Sequence, residues 1–271
     1  MAEVLRRRTG WALALASLAL AACGGEPATT PASPSPSASA TGSEAPEQSV
    51  DPDELAADLV AGLERSTTAQ LTLDVDLGLA RLLLSGVADY SAEPVDLAGT
   101  MRLRSWREKQ RHWGERRFEA RVIEDVAYLG RGERFVAFDL AEPETLPAWL
   151  GDFVALLDPL ADLDDLADAA SSAASTGTQT IAGEELERYV LRVDPGELPA
   201  LSSYPASAGL PDEVEYVVWV DQDFRVRELS TYLDLGDEVI AVKVRMIAWG
   251  GPVTIEKPDE SRIFEPPTAP V

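Results

Sequence analysis

The chain predicts an α+β domain built on a large antiparallel sheet, and three observations carry that expectation. Ten short segments alternate apolar with polar residues, the period of strands with one face buried and the other wet. A single amphipathic helix precedes them. One leucine-rich, aspartate-rich helical stretch interrupts them midway.

The leading helix has a clear start. Asp51 suits the cap, Pro52 the first helical position, and Glu54 completes a capping-box-like D-x-x-E. Leu55, Leu59, Val60 and Leu63 then share a face, and Ser66-Thr67-Thr68 ends the pattern. In Gln70–Leu77, the residues Leu71, Leu73, Val75 and Leu77 alternate with Thr72, Asp74 and Asp76. The same period predicts strands at Leu82–Tyr90, Asp96–Trp106, Phe118–Leu129 and Glu133–Phe138, punctuated by Gly, Pro and Asp as in a meander.

Leu146–Ala174 differs. Leu150, Val154, Leu157, Leu160, Leu163 and Leu166 recur at helical spacing, with aspartates between them, which predicts one or two acidic amphipathic helices broken near Pro159. Strands resume at Thr178–Ile181, Leu186–Val193, Val214–Val220, Arg225–Leu235 and Val239–Ala248. The last carries Ile240, Val242, Val244 and Met246 on one face.

Ahead of the domain lies an address. Arg6, Arg7 and Arg8 precede an apolar run of 12 residues, Trp11–Ala22, shorter than the roughly 20 a spanning helix needs. Leu20-Ala21-Ala22-Cys23 is the lipobox pattern of bacterial lipoproteins, and Cys23 is the only cysteine of the 271 residues. Residues 1–22 therefore read as a lipoprotein signal peptide and Cys23 as the lipidated residue. Residues 23–49, rich in Pro, Ser, Ala and Thr, read as a disordered tether with a reach of about 25–30 Å. The folded domain is expected over 50–265, with a short tail at 266–271.

Removing residues 1–22 takes away Arg6, Arg7, Arg8 and Glu3 and leaves 20 basic against 46 acidic residues, a formal charge of −26. Nucleic acid is a poor partner for such a chain. The membrane bond must come from the acyl chains, because anionic lipid repels this charge. No intrachain disulfide is possible, so stability rests on a packed core, for which about 220 residues suffice. Arginine outnumbers lysine 20 to 3, a bias of GC-rich genomes such as an actinobacterium's.

The lone histidine, His112, lies in the polar stretch SWREKQRHWGERR, and no G-x-S-x-G accompanies it, so a surface histidine is the better reading than a catalytic base. Asp158, Asp162, Asp164, Asp165 and Asp168 lack the glycine and distal Glu of a calcium loop and read as a solvated helix face. No enzyme, metal or cofactor is expected. Residues 102–121 hold eight Arg or Lys against Glu108, Glu115 and Glu119. These cations either pair with neighbouring acids or meet lipid phosphates or sugar acids, with Arg102, Arg104 and Arg107, and beside them Arg111, Arg116 and Arg117, as candidates. Of the tryptophans, Trp149 is the one expected near a cavity entrance.

Three stretches, STTAQLTLDVDL, VEYVVWVDQDFRVRELSTYLDL and WGGPVTIEKPDES, together resemble the mycobacterial LppX/LprG-type lipoproteins, with the periplasmic carrier LolA as a more distant relative. The resemblance implies a strongly curved antiparallel half-barrel with helices packed on its concave face, and an apolar pocket between them for a lipid or glycolipid. On that expectation the cavity is lined by Leu71, Leu73, Val75 and Leu77, by Ile240, Val242, Val244 and Met246, and by Leu157 and Leu163. The reading is a membrane-anchored, non-enzymatic lipid-binding lipoprotein. Its rival is an envelope interaction or sensor domain of the same fold that binds a protein partner and carries no lipid.

Overall fold

The structure, a computed structural model, describes residues 47–78, 80–92, 95–107, 112–141, 163–198, 211–234 and 239–264. Cys23, the signal segment, nearly all of the tether, residues 142–162 with Trp149 and Leu157, and the tail lie outside the described residues.

Thirteen strands form one curved, unclosed sheet. In chain order they are β1 (Gln48–Val50), β2 (Thr68–Asp76), β3 (Ala80–Asp89), β4 (Asp96–Arg107), β5 (His112–Ile123), β6 (Val126–Arg131), β7 (Arg134–Asp139), β8 (Ala170–Ile181), β9 (Glu184–Val193), β10 (Val214–Val220), β11 (Val226–Asp234), β12 (Val239–Trp249) and β13 (Ile263–Phe264). Their spatial order is β1-β8-β9-β10-β11-β12-β2-β3-β4-β5-β6-β7-β13. Two meanders, β2–β7 and β8–β12, thus meet at the β12–β2 pair. Every pair is antiparallel except β13 on β7. Helix α1 (Pro52–Glu64) precedes β2, and the short α2 (Leu163–Asp168) precedes β8.

Helix α1 starts as its sequence predicts. The Asp51 carboxylate accepts from the Asp53 amide at 3.0 Å, and Pro52 fills a position whose amide has no helical partner. Leu55 and Leu59 are buried, and α1 packs on α2 and approaches β8 and β11. Gly62 permits that approach, because a Cβ there would lie 2.3 Å from the Phe224 carbonyl oxygen in the β10–β11 turn.

That turn explains part of the sequence resemblance. Asp221, which follows the V-W-V strand, accepts from the amides of Asp223 and Arg225 and from the Arg225 guanidinium at 2.9 Å. Phe224 is thereby held at a φ of 57°. The W-G-G-P-V ending is structural too. Trp249 Nε1 donates to the Val226 carbonyl at 2.9 Å, and Thr68 Oγ1 donates to the Gly251 carbonyl at 2.8 Å. Beyond it the chain reaches β5, where Arg121 donates to the Glu256 carbonyl at 2.5 Å. It then reaches the β6–β7 turn, where Arg262 donates to the Glu133 carbonyl at 3.0 Å. The Arg121 and Arg262 guanidinia lie 5.3 and 5.0 Å from the ring centre of Phe135, which is 0% exposed.

Four sequence expectations are corrected. Phe118–Leu129 is not one strand but the β5–β6 hairpin, turned at Glu124-Asp125 with Glu124 at a φ of 54°. The helical stretch does not run to Ala174: Ala170–Ala174 open strand β8, because pairing with β9 outweighs the helix propensity of alanine. β8 also starts well before Thr178, and β1 takes up Gln48 and Ser49, which the sequence assigns to the tether.

Candidate functional site

Register assigns each strand residue to one of two faces. On the first, one row across the sheet reads Tyr216, Thr231, Val242, Val75, Leu82, Leu103 and Arg116. The next reads Val218, Leu229, Val244, Leu73, Leu84, Met101 and Phe118. This is the apolar face. Leu71, Leu73, Val75, Val244 and Met246 are all 1–2% exposed and join Leu55 and Leu59 of α1 and Leu163 and Leu166 of α2 in one core cluster. Ile240 lies in a small cluster with Val214 and Leu233, against which half-buried Leu77 and Val242 pack. Eight of the ten cavity candidates thus belong to or pack against the main buried core and Ile240 to the small cluster, while Leu157 is outside the described residues.

Cover on this face is uneven. Helix α1 approaches β8 and β11 and packs on α2. Across β4–β7 the same face carries half-buried Leu103, Phe118, Leu129, Val136 and Phe138 interleaved with Leu97, Met101, Ala120, Val122 and Ala127, which are only 1–4% exposed. Most strand positions there alternate without a break, so these five side chains share a face with Leu73 and Val75.

One carboxylate breaks the apolar pattern elsewhere. Glu187 stands opposite Val220 on β10 and accepts from Ser175 Oγ at 2.7 Å. Beside it Tyr189 is buried, and burial first, then Glu187, pushes its hydroxyl above the ordinary tyrosine range. The bond from Ser175 gives the Glu187 carboxylate a partner, which fits a core polar link.

The second face is polar and charge-paired. Arg81 holds Asp74 with two bonds, at 2.8 and 2.5 Å. Glu228 accepts from Arg245 at 2.6 Å and pairs with Lys243 at 3.0 Å. Burial raises the Glu228 carboxyl, but those two cations outweigh it and hold the group below the usual carboxylate range. Arg102 and Arg104 lie on this face, alternating with Met101 and Leu103, so neither borders the apolar set. For Arg107 and His112 only the backbone pairing is described. Two open pockets also lie here. One of about 620 Å³ is lined by Thr100, Arg117, Glu119 and Arg121 with Thr254 and Glu256 of the C-terminal segment. The other, about 480 Å³, is lined by Asp74, Arg81, Glu215, Tyr232 and Lys243.

Among the described residues no three His, Cys, Asp or Glu side chains are grouped to hold a metal ion, and no helix is long and apolar enough to cross a membrane.

No family model and no curated protein matches the chain by sequence. In structure it is similar to LprF from Mycobacterium bovis, with a TM-score of 0.50 and 14% identity, covering 80% of this chain and 99% of that one. The Mycobacterium tuberculosis lipoprotein LppX gives a TM-score of 0.47 at 12% identity, covering 76% of this chain and 100% of its own. At such identity the likeness to LprF is one of fold, and the chain takes the fold of the LppX/LprG-type lipoproteins that its sequence resembles.

Proposed function

We propose that this protein is an extracytoplasmic lipoprotein, held on the cell membrane by acyl chains on Cys23, that binds a lipid or glycolipid on the concave, apolar face of its half-barrel. In this reading helices α1 and α2 share the core of that face, with α1 against β8 and β11. The ligand takes the β4–β7 side. One observation carries the reading: Leu103, Phe118, Leu129, Val136 and Phe138 are only half-buried on a face whose Met101, Ala120, Val122 and Ala127 belong to the buried core. A two-chain lipid laid on this β4–β7 strip of the face gains roughly 0.8 kcal/mol per buried CH₂. No catalytic role is assigned to any residue, and nucleic acid is not a partner.

The test is uptake of a fluorescent fatty-acyl probe by the purified protein. Saturable uptake, displaced by unlabelled lipid, is the expected result; no uptake at any probe concentration rejects the reading. The rival, a protein-binding module of this fold, is favoured by one observation. Both pockets described above lie on the polar face, away from the helices.

The anchor has its own expected result. Cys23→Ala leaves the chain without acyl label and unprocessed at the lipobox, and it partitions out of the detergent phase. Full acyl labelling of Cys23→Ala would refute the anchor.

A further inference from the structure

On β2–β7 the charges of the apolar face are all of one sign. Within β2–β7, every strand carboxylate lies on the polar face: Asp74 and Asp76, Asp89, Asp96, Glu115 and Glu119, and Asp139 alternate with apolar-face neighbours. Three arginines do the opposite. Arg116 stands opposite Leu103 and two residues from Phe118. Arg131 is two residues from Leu129, and Arg134 is its partner across the β6–β7 hairpin and two residues from Val136. All three are exposed. Arg134 stacks its guanidinium 4.0 Å from the Phe264 ring centre.

Continuing the β5–β6 register past Glu119 opposite Gly130 sets Arg131 beside Phe118. With strands about 4.8 Å apart and two residues spanning about 7 Å, the three Cα atoms fall within one small patch. This patch forms the end of the half-buried strip. Arg116 and Arg131 make no ion pair or hydrogen bond among the described residues. Three neighbouring cations at one end of an apolar strip, in a chain of net charge −24, raise one another's energy and are relieved by an anion. An acyl chain fits the strip; a phosphate or carboxylate fits the arginines.

We propose that Arg116, Arg131 and Arg134 form an anion-binding rim that holds the phosphate or carboxylate headgroup of the lipid lying on the half-buried strip of β4–β7. This rests on the lipid-binding reading above and adds the ligand's class, an anionic amphiphile. Arg102 and Arg104, on the opposite face, have no part in it.

The test uses the full chain in non-ionic detergent micelles holding equal amounts of phosphatidylglycerol and phosphatidylcholine with the same acyl chains. Retained lipid is quantified by mass spectrometry. The wild-type chain is expected to enrich the anionic lipid about tenfold, the size of one or two charge-assisted hydrogen bonds. Arg116→Gln with Arg131→Gln removes no described contact, so the fold stays intact while the enrichment falls towards one and total lipid stays constant. Arg134→Lys keeps the charge and retains most of the enrichment. Undiminished enrichment in the double variant overturns the rim but leaves lipid binding standing. Absence of any lipid in both chains overturns the lipid-binding reading instead. Inorganic phosphate bound as tightly as phosphatidylglycerol overturns the headgroup assignment. A double variant that loses thermal stability with unchanged selectivity shows that the chain's own carboxylates occupy the rim, and also overturns it.

Discussion

Val75→Asp is expected to destabilise the domain by about 4 kcal/mol or more, enough to leave a marginally stable fold largely unfolded at 37 °C. Val75 is 1% exposed, lies opposite Val242 on β12 and Leu82 on β3, and belongs to the core shared with both helices. The substitution removes an apolar side chain worth roughly 2 kcal/mol of burial and places a carboxylate where no cation lies on the same face of β2, β3 or β12. Val244→Asp, opposite Leu73 in the same core, gives the same result. Thr72→Asp, one position out of phase and half-exposed beside Arg245, stays within about 0.5 kcal/mol. Urea denaturation distinguishes these outcomes. A Val75→Asp protein within about 1 kcal/mol of wild type contradicts the register.

The second large effect concerns the bend. Gly86 and Gly99 stand directly opposite each other on β3 and β4, in the middle of the apolar face. A Cβ on Gly86 would lie 2.3 Å from the Ala98 carbonyl oxygen and 2.9 Å from the Gly99 Cα. One on Gly99 would lie 2.7 Å from the Ser85 carbonyl oxygen. Backbone cannot swing aside as a side chain does, so the two strands must part. Paired glycines in strand interiors mark the close backbone approach that a tightly curved sheet requires. Gly86→Ala is therefore expected to cost about 3 kcal/mol, and the double Gly86→Ala, Gly99→Ala variant to fail to fold. Gly251→Ala, where an added Cβ meets nothing within 4 Å, should be neutral. A Gly86→Ala chain with an unchanged melting temperature would refute this origin of the curvature.

Much of this fold was legible as alternation. The sets on β2 and β12 each keep period two over eight residues or so, and the structure joins those strands, placing Leu73 opposite Val244. What failed to show in the sequence failed for local reasons. The β5–β6 turn uses Glu124-Asp125, with neither glycine nor proline to announce it, and a glutamate at positive φ leaves no compositional trace. Ala170–Ala174 has helical propensity, and only its partner strand β9 makes it a strand. The arginines are instructive. In Arg102-Leu103-Arg104 the alternation already assigns both arginines to the face away from Leu103. By the same parity Arg116 shares the face of Phe118, Ala120 and Val122. Arg131 and Arg134 look like ordinary hairpin-turn residues, and only the β6–β7 register turns them towards the strip. The paired glycines at 86 and 99 lie 13 positions apart, so nothing but the strand pairing makes them neighbours.

The central claim is that the apolar face holds a lipid. Native mass spectrometry of the non-acylated chain, with organic extraction of the same sample, tests it most directly. The account predicts one bound two-chain lipid per protein, recovered by extraction and anionic in its headgroup. A protein that flies at its bare polypeptide mass, yields no lipid on extraction and takes up none from micelles would contradict it.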